Sequence, residues 1–480
     1  MRHAGRLVLV LPAAAALLAG CMVGPDYVRP STETPTAYKE GSAWKPAEPR
    51  DDVSRGKWWE IFGDPQLNAL EERVQISNQN VLAAEAQYRQ AQAIVQQARA
   101  GLFPTLGGTA STSRSQSPNL ANRPVNSTAP VNNYTLSLDA TWEIDLWGRV
   151  RRQLEASEAN AQASAADLET VRLAAQAQLA QSYFLLRVAD AQKKLLDDTA
   201  SAFERSLQLT QNRYAAGVAA KVDVVQAETQ LRTTQAQAIE IGVQRAALEN
   251  AIAVLVGETP STFSIPPAPL AATSPYIPLG LPSELLERRP DVAAAERAVA
   301  AANAQIGVAQ AAFYPTFTLT GSGGFRSQDL GDLISSPSRF WAVGPALAQV
   351  LFDGGLRRGV SNQAKAAYDA QVAAYRQTVL VGFQEVEDNV AALRILEQEA
   401  NVQDEAVRLA RESVELTTNQ YKAGIVSYLN VVAVQRVALD NERTAIGILG
   451  QRLTSSVLLV KALGGGWTAS ELPTTGSLLP

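Results

Sequence analysis

Two stretches of the chain alternate between apolar and polar residues, as the two faces of a β-strand do. From position 134 every second residue is apolar, and the residues between them are polar; the apolar set is Tyr134, Leu136, Leu138, Ala140, Trp142, Ile144 and Leu146. A weaker alternation runs from Thr316 to Phe325. Since successive side chains of a strand point to opposite faces, we predict strands with one apolar and one polar face. Such strands occur in half-buried soluble sheets and in membranes, where one face meets lipid.

A seven-residue apolar period marks the second half of the chain. Its members are Val372, Val379, Val386, Leu393, Ala400, Val407 and Val414. The period predicts a helix over about 355–420, which would be about 100 Å long. Residues three positions further on, such as Tyr375, Asn389 and Gln403, are mixed in character, so the seam is not a leucine zipper. Taken alone, this helix would fit a rod-like coiled coil with a structural role.

The chain contains two copies of one pattern. Residues 103–105 read Phe-Pro-Thr and residues 314–316 read Tyr-Pro-Thr. Residues 212–217 read Asn-Arg-Tyr-Ala-Ala-Gly, and residues 419–424 read Asn-Gln-Tyr-Lys-Ala-Gly. Matches that recur in the same order predict a duplicated unit of about 210 residues.

Each copy predicts a helix, two strands around a polar loop, a very long helix, a tight turn and another helix. Tyr214, Gly217 and Gly424 belong to the two turns, and the glycines stand where a helix ends and the chain reverses. The predicted organisation is a signal peptide at 1–20, an extended leader at 21–64, a first copy at 65–257, a proline-rich linker at 258–289, a second copy at 290–463 and a tail at 464–480.

The N-terminus has the three parts of a secretory signal. Arg2 and Arg6 precede an apolar run, and Leu-Ala-Gly-Cys closes it at residues 18–21. Cys21 is the only cysteine of the chain. This segment resembles the lipobox of bacterial lipoproteins, which implies cleavage before Cys21 and a lipid anchor on its sulfur. A plain signal peptide with a chance cysteine is the alternative. Met22 follows the cysteine, and the absence of aspartate there points to the outer membrane.

Composition excludes several classes of function. The net charge of −5 makes a nucleic-acid partner improbable. The only histidine is His3, inside the signal, so histidine-based catalysis and Cys/His zinc sites are excluded in the mature chain. We therefore expect no enzyme and no cofactor other than the lipid on Cys21. No apolar segment after the signal is long enough for a transmembrane helix.

The lipid anchor favours the membrane interpretation of the alternating strands. Four strands cannot close a membrane barrel, for which about eight are needed. An open sheet edge in lipid leaves backbone groups unpaired at several kcal/mol each. The chain must therefore combine its strands with copies of itself, and two copies would supply eight strands, three copies twelve.

The whole mature chain resembles the TolC-like outer-membrane efflux proteins, in the OprM/NodT lipoprotein branch. The matching motifs are Cys21-Met22-Val23-Gly24-Pro25-Asp26-Tyr27, Trp58-Trp59, Phe62-Gly63-Asp64-Pro65, Arg288-Arg289-Pro290-Asp291, Phe103-Pro104, Tyr314-Pro315, Leu351-Phe352-Asp353-Gly354-Gly355 and the two Tyr-x-x-Gly turns. The resemblance implies an α+β fold, mostly α. It also implies a homotrimer with a twelve-stranded β-barrel in the outer membrane and a coiled-coil α-barrel in the periplasm. Its implied partners are a periplasmic adaptor protein and an inner-membrane pump of the resistance–nodulation–division (RND) type.

The same resemblance implies a gate at the periplasmic end of the duct. Asp223, Tyr421 and Leu429 match gate positions of the family. In the second copy, Asn430 occupies the position that corresponds to Asp223. Ala433 stands where related ducts often carry an aspartate, so a double acidic ring is not expected. Asp223 could instead be a helix-start residue favoured by the helix dipole, and Tyr421 a packing tyrosine at a helix end.

Other functions stay open at this point. Among ducts, the partner could be a protein-secretion system or a metal exporter. A methionine ladder for soft metals is absent, because Met22 is the only methionine of the mature chain. A lipid-anchored structural coiled coil is the remaining alternative, and the alternating strands disfavour it.

Overall fold

The computed structural model describes residues 22–39, 56–116, 130–270, 274–275, 277, 284–474 and 476–477. Cys21 and the predicted signal peptide lie outside the described residues. Among the described residues, no helix combines the length and the apolar character that crossing a membrane requires.

Both copies of the pattern fold into the same succession of elements. The first copy contains a 3₁₀ turn at Trp58–Phe62, then α1 (Pro65–Ser77), α2 (Gln79–Ala100), β1 (Thr105–Ser115), β2 (Val131–Glu143), α3 (Arg149–Ala215) and α4 (Lys221–Leu255). The second contains α5 (Leu285–Arg288), α6 (Pro290–Ala311), β3 (Thr316–Ser327), β4 (Arg339–Ala348), α7 (Leu356–Lys422) and α8 (Tyr428–Ala462).

The first predicted helix, 65–101, is divided in two at Asn78. The Asn78 side chain accepts hydrogen bonds from the backbone N–H groups of Asn80 and Val81, at 3.0 and 3.2 Å. Its own amide donates to the Leu255 carbonyl at 2.8 Å. Asparagine caps a helix start well because its oxygen satisfies N–H groups that have no partner within the helix. The alanine- and glutamine-rich pattern continues across this point, which is why it predicted one helix.

Two helices of 67 residues, α3 and α7, run through most of the molecule. The apolar period predicted for α7 faces inward, since Val379, Val386 and Leu393 are buried. In the part of the bundle far from the sheet the long helices form a row in the order α4–α3–α8–α7. Nearer the sheet, α2 and α6 replace α4 and α8, giving the row α2–α3–α6–α7. Among the described residues, each row therefore has two outer helices, each of which packs mainly against one neighbouring helix.

The four strands form one antiparallel sheet in the order β1–β2–β3–β4. Leu138 of β2 lies opposite Gly108 of β1 and Gly323 of β3, and Gly323 lies opposite Trp341 of β4. This register aligns the apolar positions of neighbouring strands on one face. Within the described residues, β1 and β4 are edge strands.

Buried ion pairs attach the linker to the first copy, and a buried arginine at the end of the linker attaches it to the second. Arg187 and Arg245 both bind the Asp190 carboxylate, at 2.8 and 2.7 Å. Arg245 also donates to the Ile265 carbonyl of the linker at 2.6 Å. Arg289 of the Arg-Arg-Pro-Asp motif is buried and binds the Asp291 carboxylate. Its guanidinium also binds a carboxylate of α7 and a backbone carbonyl of α8. These charges are paired, as buried charges must be.

Candidate functional site: the far ends of the long helices

Each long helix ends in a tight chain reversal at the end of the bundle farthest from the sheet. At the end of α3 the Gly217 N–H donates to the Tyr214 carbonyl at 2.9 Å, and at the end of α7 the Gly424 N–H donates to the Tyr421 carbonyl at 3.0 Å. The φ angles of Gly217 and Gly424 are 71° and 78°. Glycine adopts this left-handed conformation without the steric penalty of a Cβ atom. The two turns therefore have the same backbone conformation and the same backbone hydrogen bond.

Around the second turn the side chains form an aromatic cluster. The rings of Tyr421 and Tyr428 meet edge to face, with centroids 5.3 Å apart. Ala227 of α4 and Val431 of α8 complete this buried cluster. Such an edge-to-face pair contributes about 0.5–1.5 kcal/mol beyond its buried area. The cluster joins the start of α8 to the end of α7 and to α4.

Two polar contacts connect the same turn to α3. The Arg213 guanidinium lies over the Tyr421 ring at 4.9 Å from its centroid, and it donates to the Lys422 carbonyl at 3.1 Å. The hydroxyls of Ser206 and Tyr428 are 3.1 Å apart. Burial raises the pKa of the Tyr428 phenol, and Tyr421 and Asp223 raise it further, whereas the Ser206 hydrogen bond lowers it. We call Arg213, Ser206, Tyr421 and Tyr428 the tip cluster.

The structure brings together only part of the set predicted from the sequence. Tyr421 is 5% exposed and belongs to the tip cluster, whereas Tyr214 of the first turn is 47% exposed. Leu429 is exposed beside the cluster and outside it. Asp223 is half-buried in the first turn of α4, close enough to influence Tyr428. Its position fits a helix-start residue and a residue at the mouth of a duct equally well.

Sequence reasoning missed Arg213 and Tyr428. At both positions the two copies carry different residues, since Arg213 corresponds to Gln420 and Tyr428 to Lys221. An arginine and a tyrosine that appear in only one copy, beside a shared turn, are a signal for contact across the two turns. The duplication itself is recognised from matching residues, so positions that differ between the copies do not contribute to it.

One face of the sheet carries large apolar side chains that are exposed in the protomer. Leu136 and Leu138 of β2 are exposed, as are Trp341, Val343 and Leu347 of β4. The polar residues of β2 point to the other face, where Ser137 binds Asp139 at 2.9 Å. A polar face and an apolar face on opposite sides of one sheet are typical of a sheet between water and lipid.

The N-terminal leader lies along the helices and begins next to the sheet. The Val23 N–H donates to the Trp147 carbonyl at 3.1 Å, at the junction of β2 and α3. Asp26 binds the buried Arg152 at 2.8 Å, and the Asn303 amide donates to the Pro25 carbonyl at 2.9 Å. The leader therefore contacts both copies, and its first described residues lie at the sheet end of the bundle.

A duct-like architecture follows from these features: a lipid-compatible sheet, a helical bundle about 100 Å long, and two tight turns at its far end. The model of the outer membrane efflux protein family matches residues 70–258 and 281–465, so the chain belongs to that family. It is an outer-membrane protein and works as the channel of an efflux system. Among the described residues, no group of His, Cys, Asp or Glu side chains could hold a metal ion.

Curated relatives and solved structures agree with this assignment. The antibiotic efflux pump outer membrane protein ArpC of Pseudomonas putida is 32% identical over 463 residues, which cover 96% of each chain. The toluene efflux pump outer membrane protein TtgC, also of Pseudomonas putida, shows the same identity and coverage. The solved outer-membrane channel OprN has a TM-score of 0.86 at 32% identity, covering 93% of this chain and 100% of that one.

Proposed function

We propose that three copies of this chain form one continuous duct, from the periplasm through the outer membrane. The duct receives small toxic molecules from a periplasmic adaptor and an inner-membrane RND-type pump. The observation that carries the proposal is that, within the described residues, the protomer has two unpaired edges in the sheet and two outer helices in each row of the bundle.

The sheet edges support assembly with further copies. β1 and β4 each pair with one strand of the protomer, and the sheet carries an apolar face. Unpaired backbone groups in lipid cost several kcal/mol each, so β4 of one copy must pair with β1 of the next. Three copies close a barrel of twelve strands.

The outer helices support packing against the same adjacent copy as the sheet edges do. The internal duplication predicts which of their residues are in contact. Within a protomer Val188 of α3 lies against Gly450 of α8, where an added Cβ would be 2.6 Å from the valine. The positions of corresponding residues in the two copies differ by 207, as Tyr214 and Tyr421 do. Ile395 of α7 therefore corresponds to Val188, and Val243 of α4 corresponds to Gly450. Both are exposed in one protomer, by 52% and 74%.

These residues belong to longer stripes on the outer helices. The α7 stripe recurs every seven residues and consists of Ile395, Val402, Leu409 and Leu416. The α4 stripe consists of Val222, Val225, Ile239 and Val243. Apolar stripes at helical spacing bury themselves against a partner helix. A heterologous contact of α7 with α4 of the next copy closes into a ring.

The test is a disulfide between copies. We expect Ile395→Cys combined with Val243→Cys to give covalent dimers and trimers on oxidation, seen on a gel without reductant. In the control pair, Ile395→Cys with Val225→Cys, the second thiol is about 27 Å away along α4 and no bond should form. Trimers by native mass spectrometry without any cross-link would contradict the helix register, and monomers alone would contradict the assembly.

At the far end of the duct, we assign the gate to the two turns. Tyr421 in the tip cluster holds α7 and α8 against α3, while Leu429 and Asp223 narrow the mouth beside it. Apolar side chains at a constriction discourage water, and carboxylates there attract cations. The burial of Tyr421 and the exposure of Leu429 support these two roles.

The anchor is assigned to Cys21. The contact of Val23 with Trp147 supports it, because the residues adjoining Cys21 lie where the sheet meets the helices. In the proposed assembly this junction is at the membrane surface. Cys21→Ser should abolish incorporation of a radioactive fatty acid. Label retained by the variant would contradict the anchor.

We assign two classes of cargo to the duct, apolar organic molecules such as toluene and antibiotics. Relatives of the chain are named after the efflux of these compounds. Deleting the gene and exposing the cells to antibiotics, detergents, solvents and metal salts tests this. We expect higher susceptibility to solvents and antibiotics. Increased susceptibility to metals alone would favour a metal exporter.

A further inference from the structure

Two arginines stand on the apolar face of the sheet, at the end away from the helices. Arg339 begins β4 two residues before Trp341, so both side chains point to the same face. Arg114 of β1 lies opposite Asn132, which is four residues from Leu136 and therefore shares its face. Both arginines are exposed, and among the described residues neither guanidinium has a hydrogen bond or an ion pair.

This end of the sheet lies at the outer surface of the membrane in the proposed duct. The loops that join the strands in pairs are at this end, and the helices follow the strands at the other. Towards the loops, the apolar face of β2 changes from Leu136 to Tyr134 and then to Asn132. An apolar band that gives way to an aromatic residue and then to polar ones is typical of a membrane surface. We therefore expect Arg114 and Arg339 at the level of the lipid headgroups.

The duplication supplies a register for the junction between copies, where β4 of one copy meets β1 of the next. Residues of β1 and β3 correspond at an offset of 211, as Thr105 and Thr316 do. Residues of β2 and β4 correspond at an offset of 207, as the helix-starting glycines Gly148 and Gly355 do. With these offsets the β1–β2 and β3–β4 pairings have the same register. The junction between copies should therefore repeat the β2–β3 pairing.

This register brings the two arginines to neighbouring strands. Leu136 of β2 lies opposite Phe325 of β3. Their counterparts are Val343 of β4 and Arg114 of β1, so Arg114 of the next copy should lie opposite Val343. Arg339 is four residues from Val343, which is about 13 Å along the strand. Two cations therefore stand on one face of each junction between copies, on adjacent strands.

The equivalent junction within a copy has no charge at these positions. Phe325 corresponds to Arg114, and Asn132 corresponds to Arg339. Asp329, in the loop between β3 and β4, accepts a hydrogen bond from the backbone of its own loop and binds neither arginine. A guanidinium offers paired N–H donors that match the oxygens of a phosphate group. Arginines beside an apolar, lipid-facing surface thus suit a ligand with phosphates at one end and acyl chains at the other.

We propose that Arg339 of one copy and Arg114 of the next bind the phosphates of a glycolipid in the outer leaflet, one lipid at each of the three junctions. The spacing of the two arginines suits a headgroup with two phosphates, such as a phosphorylated disaccharide. The acyl chains lie against the apolar face, where Trp341 and Val343 are exposed. The lipid bridges neighbouring copies. This inference rests on the proposed trimer and its strand pairing.

Native mass spectrometry of delipidated trimers in detergent tests the site. The probe is lipid A with two phosphates, and the comparison lipids are dephosphorylated lipid A and phosphatidylglycerol. We expect up to three molecules of the bisphosphorylated lipid per trimer and at least about tenfold weaker binding of the other two, because they lack one or both phosphates. Equal binding of dephosphorylated lipid A would contradict a phosphate site, and equal binding of phosphatidylglycerol would contradict a glycolipid.

Substitutions separate the site from general attraction to the membrane surface. Arg114→Gln with Arg339→Gln should weaken binding of bisphosphorylated lipid A at least about tenfold, and the double lysine variant should be intermediate, because lysine keeps the charge and loses the paired donors. Arg326→Gln is the matched control and should bind as the native channel does. Arg326 is at the same end of β3 but points to the other face, where its guanidinium lies over the Phe340 ring.

The two proposals fail in different ways. If the native chain is monomeric, the proposed assembly is wrong. If it is trimeric and the double glutamine variant, also trimeric, binds the lipid with native affinity, the arginine site is wrong.

Transferring the pair tests whether the two arginines are sufficient. Asn132→Arg with Phe325→Arg places the same residues at the junction within a copy, so each trimer gains three further pairs. We expect up to six molecules of bisphosphorylated lipid A per trimer in place of three. A maximum of three in folded trimers of this variant would contradict a site made by the arginine pair.

Discussion

The two turns share one backbone and differ in what surrounds it. In both, a glycine with positive φ donates to the carbonyl three residues before it, at 2.9 and 3.0 Å. Yet Tyr214 is largely exposed, whereas Tyr421 is buried. The difference arises because Tyr428 and Arg213 have no equivalents in the other copy. The two copies therefore share the turn itself, whereas residues that differ between the copies bury the tyrosine of one turn and leave that of the other exposed.

The asymmetry has a consequence for gating. The second turn is attached to α3 by the tip cluster, so we expect opening of the proposed gate to break contacts there. The exposed Tyr214 side chain has no ring partner in its own protomer among the described residues, which leaves it available to a neighbouring copy or to the adaptor. The predictions below replace residues of one turn by those of the other, or remove them.

The largest effect should follow from removing Tyr421 and Leu429 together. Tyr421→Ala with Leu429→Gly removes a buried aromatic ring, at a cost of about 3 kcal/mol to the closed tip, and the apolar constriction beside it. We expect several-fold higher conductance in planar bilayers and greater susceptibility of cells to large antibiotics. Tyr214→Ala is the matched control and should change neither. Trimers of the double variant with unchanged conductance would place the gate elsewhere.

Tyr428→Lys should have the next largest effect, since lysine is what the first copy has at this position. The substitution removes the edge-to-face pair with Tyr421 and the contact with Ser206. Together these contribute about 2 kcal/mol. We expect frequent brief openings in single-channel records. Lys221→Tyr in the first copy tests the comparison from the other side, and we expect it to leave the closed state unchanged.

Part of the fold could be predicted from local patterns in the sequence. The period of seven identified the buried face of α7, because helix packing repeats along the chain. The alternation at 134–146 identified β2, and the repeated glycines identified both turns. These features are local, so they are visible in a single sequence.

What the sequence could not provide depends on distant contacts. The Arg213 guanidinium of α3 lies over the Tyr421 ring of α7, and no periodicity in the sequence indicates that contact. The break at Asn78 depends partly on Leu255, far along the chain. Tertiary contacts of this kind need the fold itself.

Arg213→Gln should have an intermediate effect, and it makes the first turn identical to the second at this position. Glutamine cannot replace the cation over the Tyr421 ring, and its shorter side chain does not reach the Lys422 carbonyl. The two contacts contribute about 1–2 kcal/mol. We expect a higher open probability than in the native channel and a lower one than in Tyr428→Lys. Arg213→Lys keeps the charge and should lie closer to the native value. An open probability equal to the native one in Arg213→Gln would show that the arginine does not hold the tip.

The smallest effect concerns Asp223, for which two interpretations remain. As a helix-start residue it stabilises α4 by about 0.3–1 kcal/mol through the helix dipole. As a residue at the mouth, it supplies one negative charge per copy to passing cations. Asp223→Asn introduces the residue that the second copy has, Asn430, with little change in shape.

The two roles predict different measurements for Asp223→Asn. A gate residue predicts a lower cation preference, seen as a shift in reversal potential under a salt gradient, with nearly unchanged conductance. Asn430→Asp should shift the potential in the opposite direction, because it adds a second carboxylate at the equivalent position of the other turn. Asp223→Glu keeps the charge and should resemble the native channel. If Asp223→Asn lowers only the melting temperature and leaves the reversal potential unchanged, Asp223 stabilises the first turn of α4 and takes no part in ion selection.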